Sequence, residues 1–126
     1  MYKRQWISCT VKDDEHISDG TSFAEVLKVV NQHADQVMAF GINCCAPDRV
    51  TAQLRCLNQY TSMPLLCYPN SGEVYHADGN HWTGTKLATK SGEYANQWRQ
   101  AGARLIGGCC RTGPDDIECI SKALDP

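Results

Sequence analysis

The chain has 126 residues, 42% hydrophobic and 21% charged, with 12 basic against 14 acidic side chains and a net charge of −2. That is room for one core, so a single domain over residues 1–126 is expected. No run of like charges offers a footprint for nucleic acid or an anionic membrane, and no apolar run reaches the roughly 18–20 residues of a membrane span, so neither is expected as a partner.

Trp6 to Val11 reads as the first strand. Ser22 with Glu25 spells a capping box, and Phe23, Val26, Leu27 and Val30 follow on one helical face. Val37 to Ile42 is a second apolar run. Asp48 is placed to cap the next helix, where Val50, Leu54 and Leu57 recur at helical spacing. Pro64 to Tyr68 is a third strand, followed by a polar loop from Pro69 to about Ser91. Tyr94, Trp98 and Ala101 mark a helix, and Ala103 to Gly107 a fourth strand. The last helix starts at Pro114, a favoured first-turn position, with Asp115 and Asp116 where the helix dipole favours negative charge. Its expected buried stripe is Ile117, Ile120 and Leu124.

This alternation gives an α/β fold of four βα units with parallel strands and right-handed crossovers. On pattern alone the units fit a small open sheet or half of an eight-unit barrel, which takes about 250 residues.

Eight cysteines stand in the chain, four of them as the adjacent pairs Cys44-Cys45 and Cys109-Cys110. The N-terminal residues turn polar again at Ser8 without the apolar core of a secretory signal. A cytoplasmic, reducing setting with free thiols is therefore expected. Adjacent cysteines are poor disulfide partners for each other, and clustered thiols in a reducing compartment point first to metal or redox chemistry.

Both pairs follow a strand directly, in Gly41-Ile42-Asn43-Cys44-Cys45 and Ile106-Gly107-Gly108-Cys109-Cys110. They fall at the carboxyl ends of parallel strands, where α/β proteins bind ligands. Three thiolates from two strand ends suit zinc, which favours tetrahedral sulfur coordination and keeps a fourth position open at catalytic sites. Such an anionic site favours activation of a bound thiol over hydrolysis. The alternative is plain packing, since buried free cysteines are common and inert and no CxxC pair is present.

Gly41-Ile42-Asn43-Cys44, Tyr68-Pro69-Asn70-Ser71-Gly72-Glu73 and Gly107-Gly108-Cys109-Cys110-Arg111-Thr112-Gly113-Pro114 resemble the homocysteine S-methyltransferase family in order and spacing. Ile17-Ser18-Asp19-Gly20-Thr21-Ser22 matches as well, and the likeness is closer to the branch that uses S-methylmethionine. The resemblance implies a (β/α)8 barrel of which this chain is the second half, strands five to eight, a partial homocysteine-binding zinc domain. It also implies Zn2+ held by one cysteine after the sixth strand and two after the eighth, which by position are Cys44, Cys109 and Cys110. The implied activity is zinc-dependent transfer of a methyl group from S-methylmethionine, or a related sulfonium donor, to homocysteine, giving methionine.

The family's first-strand Asp-Gly segment and the acidic residue near its fourth strand have no counterpart here. Two further readings follow: a non-catalytic zinc-binding half-barrel, and a redox protein using its adjacent thiols. Four units leave open edges and a bare apolar face, which favours self-association of half-barrels.

Cys45 reads as a bystander, and Cys9, Cys56, Cys67 and Cys119 as packing residues. His76 and His81 read as solvated loop histidines, and Asp13, Asp14 and Glu15 as a solvated loop. Asp19 suits a structural turn, and Trp98 the core face of its helix. The 69–91 loop is long enough to suggest function; its opening lies at the cysteine edge, with no partner assignable to Asn70 or Glu73.

Overall fold

In chain order the elements are β1 (Gln5–Cys9), α1 (Phe23–Asn31), β2 (Val37–Asn43), α2 (Val50–Leu57), β3 (Leu65–Tyr68), β4 (Val74–His76), β5 (His81–Thr83), α3 (Ser91–Gln100), β6 (Ala103–Ile106) and α4 (Pro114–Leu124). They come from a computed structural model that describes residues 4–86 and 91–125. β1, β2, β3 and β6 form one parallel sheet in that order. The order follows the chain, so the sheet has no switch point, and right-handed crossovers place every helix on one face.

The packing shows that face. Phe23 and Leu27 of α1, Val50, Leu54 and Leu57 of α2, Ala95 and Trp98 of α3, and Ile120 of α4 share one buried cluster with Phe40, Ile42, Leu65, Cys67 and Ala103 of the sheet. Strand side chains alternate between faces, so Leu66 and Tyr68 point the other way. There they line an open hollow of about 420 Å³ with Trp6 and Leu105. β2 lies inside the sheet and its residues Ala39, Phe40, Gly41 and Ile42 are buried in succession, with Phe40 and Ile42 packed in the helix-facing cluster.

Helix α1 begins as its sequence predicts. The Ser22 side chain accepts from Glu25 N–H and the Glu25 carboxylate accepts from Ser22 N–H. The buried stripe is Phe23, Leu27 and Val30. Asp19 makes the expected turn, its carboxylate accepting from Thr21 N–H at 2.8 Å.

Several local expectations are corrected. The first strand ends at Cys9, and Val11 instead makes an isolated antiparallel bridge with Ile17. Asp48 does not cap α2. The turn closed by Arg49 N–H on Ala46 C=O moves the cap to Arg49, which makes no side-chain cap bond. The 69–91 loop contains an antiparallel hairpin of β4 and β5, and its residues 87–90 lie outside the described ones. On α4, Asp116 and Ile120 are buried while Ile117 and Cys119 are exposed. Ile120 and Leu124 keep to the expected stripe, Leu124 half-buried against the core, while the buried first-turn position is Asp116, whose carboxylate accepts from Gly113 N–H at 2.8 Å.

Cys67 is fully buried, and Cys9 and Cys56 pack against the cluster half-buried. The Asp13–Glu15 segment is anchored: Asp13 accepts from Glu15 and His16 N–H groups and meets the His16 ring at 2.8 Å, and Asp14 pairs with Arg49 at 2.8 Å. Among the described residues no helix is long and apolar enough to cross a membrane.

Candidate metal centre

Three loops meet at the carboxyl edge of the sheet, after β2, β3 and β6. Gly41 lets β2 lie close to β3, since a side chain there would sit 1.7 Å from the Leu66 carbonyl oxygen. Past the strand ends the pairing goes on: Cys44 N–H donates to Tyr68 C=O at 3.2 Å and Gly107 N–H to Cys67 C=O at 2.9 Å. The β3 loop then bonds to both neighbours. Asn70 N–H donates to Cys45 C=O at 2.9 Å, Cys109 N–H to Pro69 C=O at 2.8 Å, and Ser71 N–H to Cys110 C=O at 3.1 Å. The Asn70 side-chain oxygen accepts from Cys110 N–H at 3.2 Å. Cys44 itself turns with φ +52°, a left-handed conformation uncommon outside glycine and typical of functional loops.

These loops bring Cys44, Cys109 and Cys110 together. Cys44 Sγ lies 3.9 Å from Cys110 Sγ, and Cys109 Sγ 4.0 Å from Cys110 Sγ. All three sulfurs fall within 4.8 Å of one another, the one group of three or more metal-capable side chains among the described residues. A tetrahedral zinc with Zn–S bonds of about 2.3 Å needs sulfur–sulfur edges of roughly 3.8 Å. The donor set therefore fits a soft or borderline cation with little rearrangement.

The electrostatics point the same way. Burial opposes ionisation of Cys44, but hydrogen bonds from Cys109, Asn43 and Cys110 outweigh it and hold this thiol below the usual range. Burial, and then the neighbouring Cys44, push Cys109 up to about 12. Thiols this close do not all ionise unless a cation joins them.

Cys45 turns inward instead, where burial pushes its thiol up to about 12. His76 and His81 stack on each other with ring centroids 4.9 Å apart across the hairpin, and neither belongs to the sulfur group.

The sequence places Asn70, Ser71, Glu73 and Arg111 in motifs at this edge but leaves their partners unassigned. The Arg111 guanidinium meets Glu73 in two hydrogen bonds, Nε to Oε2 at 2.9 Å and Nη2 to Oε1 at 3.0 Å. Arg111 and then Ser71 hold the Glu73 carboxyl below its usual range. Only the shared sheet edge hinted at these partners; the pairing itself is tertiary.

A family model described as homocysteine S-methyltransferase matches residues 2–124. The chain belongs to the homocysteine S-methyltransferase family. It is 47% identical over 119 residues to a homocysteine S-methyltransferase of Escherichia coli (strain K12), covering 93% of this chain and 38% of that protein. It is 43% identical over 116 residues to homocysteine S-methyltransferase YbgG of Bacillus subtilis (strain 168), covering 92% of this chain and 36% of that one. Among solved structures, the metallated form of the homocysteine methyltransferase MmuM from Escherichia coli is similar with a TM-score of 0.78 at 42% identity, over 94% of this chain and 35% of that one. The chain thus spans less than two-fifths of the length of these relatives. The fold of these homocysteine S-methyltransferase neighbours carries the same parallel α/β arrangement.

Proposed function

We propose that this chain is the second half, strands five to eight, of a (β/α)8 homocysteine S-methyltransferase, a single partial barrel domain over residues 1–126. Its metal would be zinc, held by Cys44, Cys109 and Cys110. The observation that carries this reading is the convergence of three sulfurs from two loops within 4.8 Å of one another. Support comes from the family membership and from the singly wound sheet, whose helix-free face suits a barrel interior.

The proposed reaction moves a methyl group from S-methylmethionine, or a related sulfonium, to homocysteine. The homocysteine thiol gives its proton to solvent, and its sulfur forms a bond to the donor's methyl carbon. The donor's sulfonium–methyl bond breaks, and the donor leaves as a neutral thioether. Zinc supplies the positive charge that favours a substrate thiolate at neutral pH. The chain's own residues contribute placement. Cys44 and the Cys109-Cys110 pair bring the three ligand sulfurs together from two loops. The β3 loop ties those two loops into one rigid edge, which is the positioning such a displacement needs.

A second reading has its own observation. The hollow lined by Trp6, Leu66, Tyr68 and Leu105 is bare, and the matched length is a minority of the relatives. By that reading the chain binds zinc without turnover until another half, or a second copy, covers the face.

Elemental analysis of reduced protein beside Cys44→Ser tests the metal centre, and a methyl-transfer assay with homocysteine and S-methylmethionine then separates the two readings. Near-stoichiometric zinc, lost in the variant, with methionine formed, supports the transferase. Zinc without methionine supports the half-barrel, and no zinc in either protein overturns both.

A further inference from the structure

We infer that Glu73 and Arg111 are positioning residues for the metal centre: their ion pair holds the adjacent cysteines in the conformation that presents both sulfurs. The inference rests on the metal reading above.

Arg111 follows Cys110 directly and sits at φ +64°. A bulky side chain in that left-handed region persists only where its surroundings hold it there. Here the holding element is visible. The guanidinium meets both Glu73 carboxylate oxygens, at 2.9 and 3.0 Å, the planar two-bond match that arginine makes and lysine does not. Glu73 is itself fixed. Its Oε2 also accepts from Ser71 Oγ–H at 2.7 Å, its side chain is only 11% exposed, and Ser71 is buried. Ser71 N–H in turn donates to Cys110 C=O at 3.1 Å. Cys110, Ser71, Glu73 and Arg111 thus form a closed ring of bonds around the Cys110–Arg111 peptide.

Cys110 carries one of the three sulfurs, 3.9 Å from Cys44 Sγ and 4.0 Å from Cys109 Sγ. Releasing the ring frees the backbone at Arg111 and lets that sulfur drift from both neighbours. Ordinary surface ion pairs contribute little; this one differs in its two-point geometry and in the third bond that pins its acid. The expected effect is that of a lost outer partner of a metal ligand, a 10–100-fold fall in affinity.

The test uses the full chain, metal-free and reduced, titrated with cobalt(II) chloride against a competing chelator. The thiolate-to-cobalt charge-transfer band reports how many sulfurs bind. Wild type, Glu73→Gln and Arg111→Lys are compared, with metal-free melting temperatures measured alongside. Cobalt affinity reduced 10–100-fold in both variants, with an unchanged band at saturation and an unchanged metal-free melting temperature, is the expected result. Affinity within twofold of wild type in Glu73→Gln overturns the positioning role and leaves the metal reading standing. A loss of affinity matched by an equal loss of metal-free stability overturns it too, by showing a general structural role. Wild type without a charge-transfer band removes the metal reading, and this inference with it.

Discussion

Cys44 Sγ lies 3.9 Å from Cys110 Sγ although 66 positions separate them in the chain. Their strands, β2 and β6, are not neighbours; β3 lies between them. What closes the gap is the β3 loop, which accepts from Cys109 N–H and donates to Cys45 and Cys110 carbonyls. A metal bridging these sulfurs would therefore depend on all three cysteines of the group. Cys109→Ser and Cys110→Ser are each expected to lose most bound zinc, whereas Cys56→Ser and the exposed Cys119→Ser keep it. Zinc per chain by elemental analysis after gel filtration checks this. Equal content across the four variants would sink the ligand assignment.

Gly41→Ala probes the same edge from within the sheet. A Cβ at Gly41 would stand 1.7 Å from the Leu66 carbonyl oxygen and 2.6 Å from its carbon, and backbone atoms cannot step aside as a flexible side chain can. The expected cost is about 3 kcal/mol or more, the upper end of overpacking effects, read as a lowered urea midpoint. Because β2 and β3 would have to spread, zinc retention should fall in the same variant. A midpoint within about 0.5 kcal/mol of wild type would mean that the two strands part easily.

The repeating elements were legible because their physics is local. Phe23, Leu27 and Val30 keep helical spacing behind a Ser22–Glu25 box, and β2 is a continuous apolar run. The cysteine loops were legible too, since glycine-flanked thiols just past two strands are hard to place elsewhere than at the carboxyl edge. What escaped depends on partners distant in sequence. β4 and β5 are three-residue strands, too short to show a period. Asp116 reads as an exposed first-turn acid until Gly113 and Lys86 are seen to take its carboxylate. Nothing near Glu73 in sequence announces Arg111, 38 positions away.

Asp116 supplies a third prediction. Its side chain is 4% exposed, accepts from Gly113 N–H at 2.8 Å, and meets Lys86 Nζ at 3.0 Å. The bond to Gly113 satisfies an orphan donor at the start of α4, the helix that follows the cysteine pair. Asp116→Ala should cost about 1–2 kcal/mol, as loss of a helix-start bond does. Lys86 is 46% exposed, so Lys86→Ala should cost under about 1 kcal/mol. Urea denaturation of both variants ranks the two contacts. A larger loss in Lys86→Ala would mean that the ion pair, and not the helix start, holds Asp116 inside.

The buried thiol of Cys67 predicts how stability responds to alkali. Cys67 is fully buried in β3, and burial, with a smaller contribution from Cys45, raises its thiol well above the ordinary range. In the unfolded chain the same thiol titrates near pH 8.5. Above that pH the unfolded state sheds a proton that the folded state retains, so the contribution is complete below about pH 8.5 and is lost as pH rises towards the folded value. The loss amounts to about 1.4 kcal/mol per pH unit for one such group. Between pH 9 and 10, Cys67→Ala should therefore show a shallower fall of unfolding free energy than wild type, by about that slope. Its absolute stability will be lower because of the vacated volume, so the slope is the quantity to compare. Urea denaturation of reduced, metal-free protein at half-unit pH steps provides it. Parallel slopes for the two proteins would show that Cys67 reaches solvent and ionises in the folded state.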